Sequence, residues 1–428
     1  MNRNARSLLS LDMSRRRPVI AACALVLLGA AAPAVSAPRG RPGYAVDVLR
    51  KVGGEPSVAV SPDGRTVLVT GPASARRGLH RSTDGGRTYH LTPAFQRFGG
   101  QDVDLAFVDS TRVVMADLAL DGSGILVHRS ADRGATWTTA TINQDLYDRP
   151  WIAAFGETVY VAARGFDQVS YLYTSTDGGQ TFGPPAVIVG TEASGPGPAD
   201  AVGVVIQDLV VDEVTGDLYV LKLHTTGIYV SRLVPGAVPR FDSRLITREW
   251  TDIGFNSMTV DPAGTVYMLS HEESDGVLAS VLYHSTDRGR TWSAGVDVAD
   301  SRDGGSVFGA IDAGPTGVLS LVHLRGQGKP NTVAQDWHAE VGVIRRADTD
   351  RPAVTLVRPL RAPIHQKDIC GLGIACAGGQ NRNLLEFIST SMTAKGVVHA
   401  VVGSDGPATG DSPSVGKTGV TAVVFRSR

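Results

Sequence analysis

Tyr147-Asp148-Arg149-Pro150-Trp151 sets a phenol, a carboxylate, a guanidinium and an indole within five residues. A guanidinium fork suits a carboxylate partner. An indole suits the flat face of a sugar ring. Other groups of the right type lie far apart in the chain: Asp102 and Asp104, Arg164, Glu272, Arg325, Arg382 and Glu386. Cys370 and Cys376 lie in "CGLGIAC", with only His365 near them. One His beside two Cys falls short of a four-ligand zinc set. In an exported chain the two cysteines are expected to form a disulfide. Asp102 and Asp104 alone do not specify a Ca²⁺ site, and no cofactor is expected. The phosphate-cradling loop, the nucleophile elbow and the zinc helix are missing from the sequence.

Groups this dispersed need a scaffold that gathers them. Long helical periodicity is absent. Short Val/Ala/Leu/Tyr runs alternate with Gly, Asp and Pro turns, and glycine reaches 50 of 428 residues. That composition points to an all-β chain with many tight turns. A hairpin unit recurs seven times: at Pro56–Gly71, Val103–Leu118, Arg149–Arg164, Gln207–Lys222, Asn256–His271, Val307–His323 and Phe387–Val402. Four units continue into a second hairpin spelled S-x-D-x-G-x-T-aromatic. These are "RSTDGGRTYH" with Asp84, "RSADRGATWT" with Asp132, "TSTDGGQTFG" with Asp177 and "YHSTDRGRTW" with Asp287. Two hairpins per unit make a four-stranded antiparallel sheet, and sheets repeated at this period make a β-propeller. Seven blades are expected, or six if a terminal unit is shared. Tyr44–Val52 is expected to supply the outer strand that closes the last blade.

The repeated turn reads as a lock. Its Asp accepts backbone N–H groups, its Gly takes positive φ, and its aromatic ring packs into the blade. Strand direction places it at the opposite end of the channel from the starts of the inner strands. Those starts and the ends of the second strands form one mouth, where a ligand would sit.

The four S-x-D-x-G-x-T-aromatic copies resemble the Asp-box, or bacterial neuraminidase repeat, of sialidase-like propellers. The resemblance covers nearly all of the chain after residue 37. It implies carbohydrate as the ligand, a glycan or glycoconjugate, and an exo-sialidase chemistry. In that chemistry arginines hold the substrate carboxylate, a tyrosine assisted by glutamate attacks, and an acid protonates the leaving group. Carried onto this chain, the arginines are Arg149, Arg164, Arg325 and Arg382, with Asp148 and Trp151 beside them. Tyr147 is the nucleophile, Glu272 or Glu386 its base, and Asp102 or Asp104 the acid. The chain departs from the family at "GEPSVAV", where Glu55 stands in place of an arginine. Two other readings stay open: a glycan- or protein-binding propeller without turnover, and a different glycoside hydrolase or lyase using two carboxylates across the mouth.

The first 37 residues read as an export signal. Arg15–Arg17 form the charged region, Val19–Ala32 the apolar region, and Val35-Ser36-Ala37 the cleavage site. The paired arginines leave the Sec and twin-arginine routes open. Residues 38–428 are expected to form one domain, with a disulfide-stapled insertion at about 361–382. Removing the signal takes away five Arg and one Asp, so the mature chain is mildly acidic. That charge does not suit nonspecific nucleic-acid binding. No later segment is apolar enough to span a membrane. A secreted monomer is expected.

Overall fold

The computed structural model describes residues 43–50, 52–72, 78–92, 100–119, 124–143, 148–188, 204–234, 236, 240–249, 255–274, 277–299, 305–328, 334–367, 369, 384, 387–406 and 420–428. Their strands form seven antiparallel sheets arranged as the blades of a propeller. The inner strands, in chain order, are Ser57–Val60, Gly100–Phe107, Trp151–Phe155, Val205–Val211, Ser257–Val260, Ser306–Ala313 and Ser389–Met392. We number the blades 1 to 7 by these strands. Within blades 1 to 6 the chain runs outward through successive neighbours, four strands to a blade. Blade 6 adds a short strand, His365–Lys367, which pairs with residues 335–337. No described residue is helical.

Blade 7 is composite. Its inner three strands come from residues 389–427, and its outer strand is Tyr44–Leu49. The register runs antiparallel from Tyr44↔Ser427 to Leu49↔Ala422. The seven-blade count and the closing strand are therefore as the repeats imply.

Each blade has both faces covered by its neighbours, so its strands read as continuous apolar runs rather than alternating ones. Val113–Ala119 is buried at six of its seven positions. The apolar clusters bridge adjacent blades. One unites Val307, Trp337 and Val341 of blade 6 with Met392, Val402 and Phe425 of blade 7. At about 25 cal/mol per Å² of apolar surface, these blade-to-blade layers supply most of the drive to close the ring.

Candidate functional site

The four Asp-boxes share one construction. In blade 2 the Ser130 hydroxyl donates to Asp132 Oδ1 at 2.8 Å, and the Gly134 N–H donates to Ser130 Oγ at 2.8 Å. Thr136 donates its N–H to Asp132 Oδ1 and its hydroxyl to Oδ2, at 2.8 and 2.6 Å. The Trp137 indole N–H donates to the Gly134 carbonyl. Asp84, Asp177 and Asp287 receive the matching bonds from Thr88, Thr181 and Thr291. The Thr136 hydroxyl is the largest of the contacts that hold the Asp132 carboxyl down at about 2. Two consecutive residues in each box have positive φ. Gly85-Gly86 and Gly178-Gly179 do so freely, whereas Arg133 and Arg288 stand in the first place in the other two copies. The N–H groups of Gly85, Arg133 and Gly178 reach the carbonyls of Arg65, Thr111 and Glu157, in the turns that end the inner hairpins. The boxes thus lie on the face where inner strands end, away from the mouth.

An axial cavity of about 400 Å³ runs from Arg149, Trp151 and Phe255 at the mouth to Pro62, Val214 and Pro262 at the far exit. Its wall poses a problem, because an inner strand has no sheet partner on its channel side and its N–H groups need acceptors. Side chains of neighbouring blades supply them. Asp104 accepts the Ile152 N–H at 3.1 Å, Asp208 the Met258 N–H at 2.8 Å, Ser257 the Ile311 N–H at 3.2 Å and Ser389 the Val58 N–H at 3.3 Å. One tier lower, Thr259 accepts from Ala313 and Asp312 from Met392. Each bond runs from one blade to the next, so together they form a belt along the channel wall that joins blade 2 to 3 and runs from blade 4 through 5, 6 and 7 to 1. The carboxylates come from blades 2, 4 and 6, and the inner strands of these same blades carry register shifts. Bulges re-aim side chains. Burial pushes the Asp208 and Asp312 carboxyls up to about 7. Burial also raises Asp104, opposed by the charge of Arg149.

Among the described residues, the mouth is an arc of aromatic rings around Arg149. Arg149 is only 6% exposed. Its guanidinium carbon lies 4.5 Å from the Trp151 ring centroid and 4.4 Å from that of Phe387. Trp151 and Phe387 meet edge to face at 5.4 Å, Phe387 and Phe255 at 4.7 Å, and Phe255 and Phe308 at 5.6 Å. The Asp148 carboxylate accepts the Arg149 N–H at 2.8 Å and sets the turn into the blade 3 inner strand. The guanidinium itself is under-used: Nε and Nη1 are buried with no hydrogen-bond partner among the described residues. A buried cation normally has several such bonds. Two aromatic faces offset part of that cost.

The remaining sequence-derived site residues divide by location. Arg149 and Trp151 line the mouth, and Asp148 bonds the Arg149 N–H beside them. Asp104 lies just below them, but both its oxygens are engaged: Oδ2 by Ile152 and Oδ1 by the Ser57 hydroxyl at 3.3 Å. Arg164 bonds Gln168 within its own hairpin at 2.7 Å. Arg325 and Arg358 flank Glu340, which also lies 3.3 Å from His323. Glu272 accepts the Tyr283 hydroxyl and the Ser270 hydroxyl, both at 2.7 Å, in a separate acidic hollow of blade 5 with Glu249, Glu273 and Asp297. Glu55 is buried, with left-handed φ, at the start of the blade 1 inner strand. Tyr147, Arg382, Glu386, Cys370 and Cys376 lie outside the described residues. Among the described residues, no three His, Cys, Asp or Glu side chains gather as a metal site. Sequence reasoning did not single out Phe255, Phe308 and Phe387 as site residues. The available signal was that each stands near the start of an inner strand, as Trp151 does.

Residues 283–294, the Asp-box hairpin of blade 5, match the family model of the BNR/Asp-box repeat. No curated protein matches the chain. Among solved structures, the chain is similar to a protein of unknown function from Dyadobacter fermentans DSM 18053. The two are 14% identical over 91% of this chain and 100% of that one, with a TM-score of 0.49. YCF48 from Cyanidioschyzon merolae is 11% identical over 90% and 99% of the two chains, with a TM-score of 0.48. The intramolecular trans-sialidase from Ruminococcus gnavus, in complex with oseltamivir carboxylate, is 12% identical over 88% and 95%, with a TM-score of 0.43.

Proposed function

Taking the chain as a seven-bladed propeller built with the BNR/Asp-box repeat, we propose that it binds a carboxylate-bearing glycan at the channel mouth. The supporting observation is Arg149, a buried guanidinium stacked between Trp151 and Phe387, two of whose N–H donors have no partner among the described residues. A carboxylate is the acceptor that such a fork recognises. The rings beside it offer the apolar faces against which a pyranose packs. Burial keeps competing water away and strengthens the charge contact.

The described residues favour grip over cleavage. Arg164, Arg325 and Glu272 have partners of their own away from Arg149, and Asp104 belongs to the belt. Hydrolysis is the second reading, and it rests on Tyr147, two residues before Arg149 in the chain. The reading also includes export after cleavage near Ala37, which N-terminal sequencing of the secreted protein tests.

The function test pairs a glycan array with turnover of a fluorogenic sialoside, using the wild type, Arg149→Met and Tyr147→Phe. The expected outcome is retention of acidic glycans by the wild type and at least tenfold weaker retention by Arg149→Met, the loss of one charge-assisted contact. Equal retention by wild type and Arg149→Met would sink the proposal. Turnover by the wild type, lost in Tyr147→Phe, would replace it with hydrolysis.

A further inference from the structure

One part of the mouth is strained. Phe308 is buried, with φ of +54°. A bulky residue in the left-handed region is strained and persists only where its surroundings over-determine it. Phe308 and Gly309 form the bulge between Val307 and Ala310, so neither has a ladder partner in the second strand of blade 6. The freed Gly309 N–H donates across the blade boundary to His271 Nε2 at 3.0 Å. A Cβ on Gly309 would meet Leu269 at 2.7 Å and His271 Nε2 at 2.9 Å, so the bulge is pressed directly against blade 5. His271 is itself anchored: its N–H donates to Asn256 Oδ1 at 3.2 Å, and the Asn256 N–H donates to Gln207 Oε1 at 3.1 Å. Burial, with the charge of His323, holds the ring neutral, with its pKa down at about 3, and Nε2 is therefore free to accept.

The contacts continue outward from the bulge. Phe308 packs against Phe255, Phe255 against Phe387, and Phe387 covers one face of Arg149. Gln207 and Asn256 stand behind this arc, in blades 4 and 5. We propose that His271 is a positioning residue of the mouth: by holding the Phe308–Gly309 bulge it sets the aromatic arc that clamps Arg149. The functional meaning of that clamp rests on the binding reading above, whereas the clamp itself is measurable without any ligand.

The test follows the Arg149 Nε–H resonance in ¹⁵N-arginine-labelled protein, assigned by its loss in Arg149→Lys. In the wild type the two rings, 4.5 and 4.4 Å from the guanidinium carbon, are expected to displace this resonance upfield. His271→Leu is expected to lose that displacement and to bind N-acetylneuraminate about tenfold more weakly, as for loss of a desolvated cation–π face. His271→Gln keeps an acceptor at similar reach and is expected to keep both. A folded His271→Leu protein with the wild-type resonance overturns the proposal. Should His271→Leu not fold, Phe308→Gly tests the relay that the proposal requires: a wild-type resonance in that variant overturns the proposal, because the bulge held by His271 would then not reach Arg149, and loss of the displacement supports it. A wild type that ignores N-acetylneuraminate counts against the binding reading, while the resonance still decides the role of His271.

Discussion

Asp208→Asn probes the belt most directly. The Asp208 side chain faces the channel cavity and accepts three bonds: from the Met258 N–H at 2.8 Å, from its neighbour Leu209 N–H at 2.8 Å, and from the Ser257 hydroxyl at 3.3 Å. Burial nevertheless raises its pKa from 3.8 to about 7, with the charge of Asp104 adding to the rise. The folded state therefore keeps a proton that the unfolded chain releases near pH 4. The stability linked to that proton is complete below pH 3.8 and is lost as pH rises through 7. Three pH units correspond to about 4 kcal/mol, an upper bound because the cavity admits water. Asparagine cannot ionise, keeps one acceptor and turns an amide N–H₂ toward one former donor, at a cost of about 1 kcal/mol. The variant is thus expected to match the wild type within about 1 kcal/mol at pH 4 and to exceed it by about 2–3 kcal/mol at pH 8. Urea unfolding at half-unit steps from pH 4 to pH 9 measures this difference. Parallel pH profiles with a constant offset would refute the reasoning, since they would mean that Asp208 titrates alike folded and unfolded.

Three further outcomes follow from the same geometry. Asp132→Ala removes the acceptor for Ser130, Ala135 and Thr136, and should cost about 1–3 kcal/mol in denaturant melts while leaving glycan binding at the mouth intact. Arg133→Gly relieves a left-handed arginine where Gly85 and Gly178 stand in other boxes, but gives up the 2.8 Å contact with Asp63. Because an exposed pair is worth at most about 1 kcal/mol, thermal melts should find the variant neutral or up to about 1 kcal/mol more stable. Gly309→Ala should destabilise by about 1–3 kcal/mol, since the new methyl meets Leu269 and His271, and a rise in melting temperature would contradict the packing described.

The architecture was legible because it is written locally. Each Asp-box spans ten residues, the bonds made by its Ser and Asp side chains join residues within four positions of each other, and its spelling therefore predicts its geometry. The closing strand was legible because Tyr44–Leu49 is an apolar run with no partner in its own hairpin. Arg149 and Trp151 were legible as a compact cluster of types. The rest was hidden by distance. Asp104 looks like an acid at a mouth, and only the unpaired edge of a neighbouring strand shows that its oxygens are spent on Ile152 and Ser57. Glu272 meets Tyr283 through hairpin pairing, which composition does not reveal. Phe255, Phe308 and Phe387 become one arc only when blades 5, 6 and 7 converge. Nothing in "SVFGAID" announces that Phe308 is bulged out of register.

The composite seventh blade has a consequence for how the molecule is made. Its outer strand comes from residues 44–49 and its other strands from residues beyond 388, so a growing chain cannot complete the ring until nearly all of it has been synthesised. Until then blade 1 lacks its blade 7 neighbour and the strand 44–49 lacks its ladder partner, whose absence leaves its edge open to wrong pairing. Pairing residues so distant in sequence carries a large loop-closure entropy, so the last step of folding is expected to be the slow one. Once made, that joint works as a clasp: pulling residue 44 away from residue 427 peels a strand from blade 7 before any other blade is touched. Resistance to proteases and to mechanical load should therefore be set at this seam, and a disulfide across it is the natural place to strengthen the protein.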